Sequence, residues 1–201
     1  MLHPQRRTVI RHSFAAFAIA AAFALPGAAF AADLPGTDGP DHIVGTPGHD
    51  VITGLGGADL LEGLAGRDRI EGGVGDDKIA GGAGADWLFG GADRDEIHGG
   101  QGADIIRGGA GGDWLFGGLG HDVLYGGDGP DVLYGGDAGD VVFAGAGRDI
   151  VYGGAGNDVI HTGGDRTADA VHCGPGFDVA FIGRGDIADR SCERIVRHRE
   201  P

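Results

Sequence analysis

An aspartate returns to the same place in this chain every nine residues, fourteen times without a break. Read in nines from Gly36, the sixth position holds Asp41, Asp50, Asp59, Asp68, Asp77, Asp86, Asp95, Asp104, Asp113, Asp122, Asp131, Asp140, Asp149 and Asp158. The eighth position is always a branched aliphatic, from Ile43 and Ile52 to Val151 and Ile160. The period is neither the 3.6 of a helix nor the 2 of a lone strand, so it marks a repeated unit that stacks on copies of itself. Glycine dominates positions one, two and four, where it lets the backbone turn at positive φ without a Cβ clash. The three residues after each aspartate are expected to form a short strand, its middle side chain pointing inward and its neighbours outward.

Copies such as GGAGADWLF (81–89), GGAGGDWLF (108–116) and GGAGNDVIH (153–161) match the pattern GGxGxDxUx, with U a large aliphatic. In this the chain resembles the hemolysin-type calcium-binding nonapeptide repeats of RTX proteins, over roughly residues 36–161. The resemblance implies an all-β fold, a right-handed parallel β-roll (a β-solenoid), with calcium held between its turns. Two nonapeptides would complete one coil with a strand on each side, and successive coils would stack about 4.8 Å apart.

Stacking at that pitch sets the chemistry. The odd repeats place Asp41, Asp59, Asp77, Asp95, Asp113, Asp131 and Asp149 on one edge, and the even repeats place Asp50, Asp68, Asp86, Asp104, Asp122, Asp140 and Asp158 on the other. Carboxylates about 5 Å apart repel by about 3 kcal/mol at an effective dielectric of 20. A hard dication between coils reverses that sign. Calcium accepts six to eight oxygens in loose geometry, and turn carbonyls lie beside each aspartate, whereas magnesium demands a tighter octahedron. Seven aspartates per edge leave at most twelve gaps for Ca2+. The competing reading of any single such aspartate is that it satisfies turn backbone. The inward column is thin and the chain rich in glycine, so the expectation is a chain largely disordered without metal and rich in β-structure with it, since metal acts on the folded form.

The pattern departs from consensus in places. Thr37, Thr46, Leu55 and Leu64 replace the second glycine, Asp93 and Ala138 stand at position four, and Ala144 opens the thirteenth copy. The turns at the N-terminal end and around Asp140 and Asp149 are therefore the least suited to an ion. After His161 the register slips by two, with Asp169 and Asp178 in what read as degenerate closing repeats. Residues 162–201 are taken as a C-terminal cap over the exposed strand edges of a solenoid end, with a basic patch for an anionic partner as the alternative reading of DRSCERIVRHR. Cys173 and Cys192 are the only cysteines; one disulfide tying this cap is the natural reading in an exported protein, two free thiols the other.

Residues 1–31 have the layout of a cleaved export signal: Arg6, Arg7 and Arg11, then an apolar run, then Ala29-Phe30-Ala31. The arginine pair also resembles a twin-arginine signal. Residues 32–35 would be a linker, and the mature product secreted or extracellular. Its 30 acidic residues against 12 basic ones, after three of 15 leave with the signal, give a net charge of −18. Such a surface repels nucleic acid and anionic lipid and attracts cations, and no later segment is apolar enough to span a membrane. The partners expected are calcium ions and a polysaccharide or protein.

Enzyme motifs are missing. HExxH and GxSxG do not occur, Ser191 is the only serine after the signal and Lys78 the only lysine. His42, His49, His98, His121, His161 and His172 read as solvated residues. Outward positions of the later copies carry Phe116, Tyr134 and Tyr152 one coil apart. These would stack as a ladder, either for sheet packing or as a docking face for a sugar polymer or protein. The sequence thus describes an exported calcium-binding structural or interaction module, with calcium-dependent polysaccharide or cell-wall binding as the alternative.

Overall fold

The computed structural model describes residues 31–163 and 165–197. The export signal read over residues 1–31 lies outside the described residues except for Ala31. Nineteen strands and no helix occur among the described residues, from β1 (Asp33–Pro35) and β2 (His42–Val44) to β18 (Ile187–Ala188) and β19 (Arg194–Arg197). Odd-numbered strands form one ten-stranded parallel sheet and even-numbered strands a nine-stranded one. The chain alternates between the sheets, making a β-solenoid of about nine turns. Its register is the doubled nonapeptide: in β10 (Trp114–Leu119) and β12 (Val132–Asp137), Trp114 faces Val132, Leu115 faces Leu133 and Phe116 faces Tyr134.

The strands are longer than the three residues expected. Most interior strands run six residues, through the glycine pair and one position beyond, as in WLFGGL of β10. The burial pattern explains this. The aliphatic at position eight and the glycine at position one both face inward, and the residues between and beside them face out. The two inward aliphatic columns, Ile52 to Ile160 and Ile43 to Val151, are at most 2% exposed and, with Ala144, form the core of the repeat region.

The glycines also divide their work differently from the expectation. Positive φ occurs at positions two and four, for example 123° at Gly109 and 151° at Gly111. Position one keeps ordinary dihedrals and needs glycine because a side chain has no room there. Leu55, Leu64, Asp93 and Ala138, which replace glycines at positions two and four, are held at φ of 77–78° all the same, a left-handed conformation that costs an L-residue about 1–2 kcal/mol.

Past His161 the solenoid continues. β16 (Ala170–His172), β17 (Val179–Ile182), β18 and β19 extend both sheets in parallel, with spacing between coils that departs from eighteen. Cys173 and Cys192 form a disulfide across this end. The outer faces carry the aromatic rows. His98, Phe116, Tyr134, Tyr152 and His172 stack with ring centroids 4.5–5.0 Å apart, and Arg107, Tyr125, Phe143, His161 and Phe181 make a second row on the other sheet. His98, His161 and His172 are therefore ladder members, His98 and His172 still open to solvent on their outer side. His49 and His121 also have partners in the next coil: His49 Nδ1 accepts the backbone N–H of Arg67, and His121 Nδ1 lies 2.7 Å from the carbonyl oxygen of Gly139.

Candidate metal centre

The end of each strand-to-strand turn delivers its aspartate to the same point, because the glycines before it bend the chain and the aliphatic two residues later anchors it in the core. All fourteen aspartates of the two columns are buried. Asp41 is the most exposed at 8%, and the rest lie at 0–3%. They are thus inside the coil edges, and burial at that depth demands partners for every polar atom.

One carboxylate oxygen has such a partner. The backbone N–H of each aspartate donates to Oδ1 of the aspartate one coil further on, as from Asp86 to Asp104 and from Asp104 to Asp122, at 2.8 Å each. The pattern runs unbroken from Asp41 and Asp50 to Asp131 and Asp140. The two columns therefore form hydrogen-bonded ladders along the solenoid. This is the backbone role an aspartate in a turn commonly takes, but across coils rather than within one.

The ladders run past the region of perfect repeat. Asp149 and Asp158 donate to Asp169 and Asp178, twenty residues on, Asp169 to Asp186, and Asp178 to Glu193. Asp186 and Glu193 were missed in the sequence because spacings of 17 and 15 leave the nine-residue grid. The repeat of Asp-Val-x-Phe at 140–143 in Asp178-Val179-Ala180-Phe181 is the signal that places Asp178 in the series.

The other oxygen is left over. Oδ2 of Asp59, Asp68, Asp77, Asp86, Asp95, Asp104, Asp113, Asp122, Asp131, Asp140, Asp149, Asp158 and Asp178 is buried without a hydrogen-bond partner. A buried acceptor without a partner is costly, and thirteen in two files are not incidental. Their surroundings are alike. A Cβ built on Gly99 would lie 2.5 Å from Asp104 Oδ2 and 2.5 Å from the carbonyl oxygen of Gly117, one coil on. The missing side chain at position one therefore leaves a cradle bounded by a carboxylate oxygen and a main-chain oxygen. Eleven of the thirteen open oxygens share it. The exceptions are Asp149, whose turn carries Ala144 at position one, and Asp178, which follows Cys173 in that place.

Electrostatics compound the strain. Burial pushes the Asp95 carboxyl up to about 8 and those of Asp104, Asp131, Asp140 and Asp169 up to about 7, while the donated backbone N–H pulls the other way and the charges of column neighbours add to the rise. Asp68, Asp77 and Asp149 rise to about 6, again chiefly through burial. Each site therefore favours a positive partner, either a proton or a cation.

The donor set fits a hard dication. Among the described residues no three His, Cys, Asp or Glu side chains converge on one point. An ion here would be held by oxygens of single carboxylates joined by backbone carbonyls, which is the chemistry calcium accepts and the softer transition metals do not prefer.

The pattern of the RTX calcium-binding nonapeptide repeat (4 copies) matches residues 35–70, 62–97, 71–106, 98–133 and 134–166, about two thirds of the chain. The chain belongs to this RTX repeat family. It is a calcium-binding β-roll module. No curated protein matches it.

The one serine among the described residues belongs to the C-terminal turns of this RTX chain. Ser191 Oγ donates to Asp189, which also binds His172 Nδ1 at 2.7 Å, so the carboxylate sits between hydroxyl and imidazole. Those hydrogen bonds hold the Asp189 carboxyl below its ordinary range. The arrangement ties the C-terminal turns together, because Ser191 Oγ also accepts the N–H of Gly174.

Proposed function

We propose that this protein is exported, folds as it binds calcium along the two aspartate columns, and serves outside the cytoplasm as a structural or interaction module without catalysis. The observation that carries the reading is the row of buried Oδ2 atoms without partners, eleven of the thirteen beside a backbone carbonyl of the next coil. The ligands are Oδ2 of Asp59 to Asp158 together with those carbonyls. Asp41 and Asp50 belong to the same columns. Calcium, when bound, supplies the positive charge and the open coordination these oxygens lack. The chain's own part is to place the oxygens at coil spacing, exclude water from them and hold Oδ1 in the ladder. The eleven cradles support up to eleven ions, within the ceiling of twelve that the repeat count allows.

Export is supported by the N-terminal layout of residues 1–31 and by the disulfide, which belongs to oxidising compartments. The test is far-ultraviolet circular dichroism of the mature chain during a calcium titration. The proposal expects β signal to rise with calcium, and an equal signal in chelator would overturn coupled folding.

The polysaccharide alternative finds limited support. Rings in the ladders lie within 13° of parallel and cover one another's faces, so a sugar meets their edges rather than an open face. A place that favours it is the cleft beside Trp114, whose indole is half exposed next to Lys78, Arg94 and Glu96 in a space of about 300 Å³. A glycan array with and without calcium, repeated with Trp114→Ala, tests it; binding lost in the variant supports the alternative, and no glycan bound removes it.

A further inference from the structure

In three aspartates of the columns a threonine closes the oxygen that stays open in the interior. Asp41 Oδ2 accepts the backbone N–H of Thr37 at 2.6 Å and its hydroxyl at 2.9 Å. Asp50 Oδ2 accepts the N–H of Thr46 at 2.5 Å and its hydroxyl at 3.1 Å. At the far end Asp186 Oδ2 accepts the hydroxyl of Thr162 at 2.5 Å and the N–H of Gly183 at 2.6 Å. None of the three oxygens is among the thirteen left open in the interior.

The local backbone differs as well. Thr37 and Thr46 occupy position two of their turns, where Leu55, Leu64 and the glycines from Gly73 to Gly154 all take positive φ; the two threonines do not. A β-branched residue resists the left-handed region, so the turn closes the other way and brings its N–H and hydroxyl onto its own aspartate. The rest of the cradle is unchanged. A Cβ on Gly36 would lie 2.8 Å from Asp41 Oδ2 and 2.5 Å from the Gly54 carbonyl oxygen, and one on Gly45 would lie 2.6 Å from Asp50 Oδ2 and 2.8 Å from the Gly63 carbonyl oxygen. The oxygens that elsewhere await a cation are present here too, but already satisfied.

We propose that Thr37, Thr46 and Thr162 terminate the calcium columns, their hydroxyls taking the place that an ion takes in the interior, so that protein donors close both columns at the N-terminal end and the Asp41 column at the C-terminal end. This rests on the open Oδ2 atoms being calcium ligands. It assigns a role to residues that a repeat consensus scores as mismatches. It also gives the ion-bearing stretch defined ends, at Asp59 on one side and at the Thr162–Asp186 contact on the other. A neutral hydroxyl donor suits a carboxylate at a solenoid end, because there the column has a neighbour on one side only and less repulsion to offset.

The experiment is calcium stoichiometry by equilibrium dialysis of the mature full chain at saturating calcium. The double variant Thr37→Gly/Thr46→Gly restores the interior turn sequence, and it is expected to bind one more ion per restored turn than the parent chain. The companion Asp41→Asn/Asp50→Asn is expected to leave the stoichiometry of the parent unchanged, while Asp104→Asn lowers it. An unchanged count in the glycine variant, or ions lost from the Asp41/Asp50 variant, overturns the proposal while leaving calcium binding by the interior intact. A parent chain that binds no calcium overturns both readings together. The asparagine variants keep side-chain shape, so the second arm decides the matter even where the glycine variant does not fold.

Discussion

The interior coils from Asp59 to Asp158 and the C-terminal turns from Thr162 to Arg197 build the same two columns by opposite means. In the interior every coil repeats at eighteen residues, every Oδ1 is bonded and every Oδ2 is open. At the C-terminal end the spacing varies, but protein groups close the contacts: Thr162 and Gly183 on Asp186, Glu193 on the N–H of Asp178, Ser191 and His172 on Asp189, and the Cys173–Cys192 disulfide across them. Among the described residues there, Asp178 is the one carboxylate with a fully buried oxygen left open. Sequence regularity thus goes with dependence on an outside partner. A strict nine-residue unit of mostly small residues has no side chain left to satisfy its own aspartate, whereas an irregular end can supply one.

The widest separation between the two regions is expected from pH. The buried interior carboxyls have folded-state pKa values raised to about 6–8 from an ordinary 3.8. The folded form therefore holds more protons than the unfolded chain between those values. The stability this confers is full below pH 4 and is lost as pH rises through 6 to 8. In chelator, then, the interior gains β-structure on acidification toward pH 4 and loses it toward pH 8. Added calcium moves the loss to higher pH, and apparent calcium affinity falls as pH drops below 7. Circular dichroism across pH at fixed calcium checks all three. A metal-free chain more stable at pH 8 than at pH 5 breaks the comparison.

Single-residue changes sharpen it. Asp104→Ala leaves the N–H of Asp86 without its acceptor as well as removing an open oxygen, and is expected to cost about 3 kcal/mol in calcium and nothing measurable in chelator. Asp186→Ala strips the acceptor from Thr162, Gly183 and Asp169, and is expected to destabilise the C-terminal end with calcium and without it. Urea unfolding in both buffers separates the two. Reduction of the disulfide, which closes a separation of 19 residues, should cost that end about 3 kcal/mol and leave interior calcium stoichiometry unaltered. The smallest effect is that of Ala138→Gly, which removes a left-handed alanine at φ 78° from an interior turn and should stabilise the calcium form by about 1 kcal/mol.

Much of this was legible in the residues because the period is exact in two columns. The inward aliphatics, the two edges of aspartates and the Phe116–Tyr134–Tyr152 stack all follow from counting in nines. What counting could not show are contacts that depend on how coils sit on one another. The Oδ1 ladder joins residues eighteen apart through the backbone, so a pattern of side chains carries no trace of it. The strand extends through the glycine pair because position one faces the core, which a residue without a side chain does not announce. Asp186 and Glu193 rejoin the columns only after insertions. Thr37 and Thr46 looked like weakened glycine positions, and only the turn geometry shows what their hydroxyls do.

Amide hydrogen exchange, resolved along the chain in calcium and in chelator at pH 7.5, tests the central claim most directly. If cations hold the interior together, protection over Val51–His161 is strong in calcium and collapses in chelator, while the disulfide-bound turns between Ala170 and Arg197 lose less. Equal protection of the interior strands in the two buffers would contradict the account.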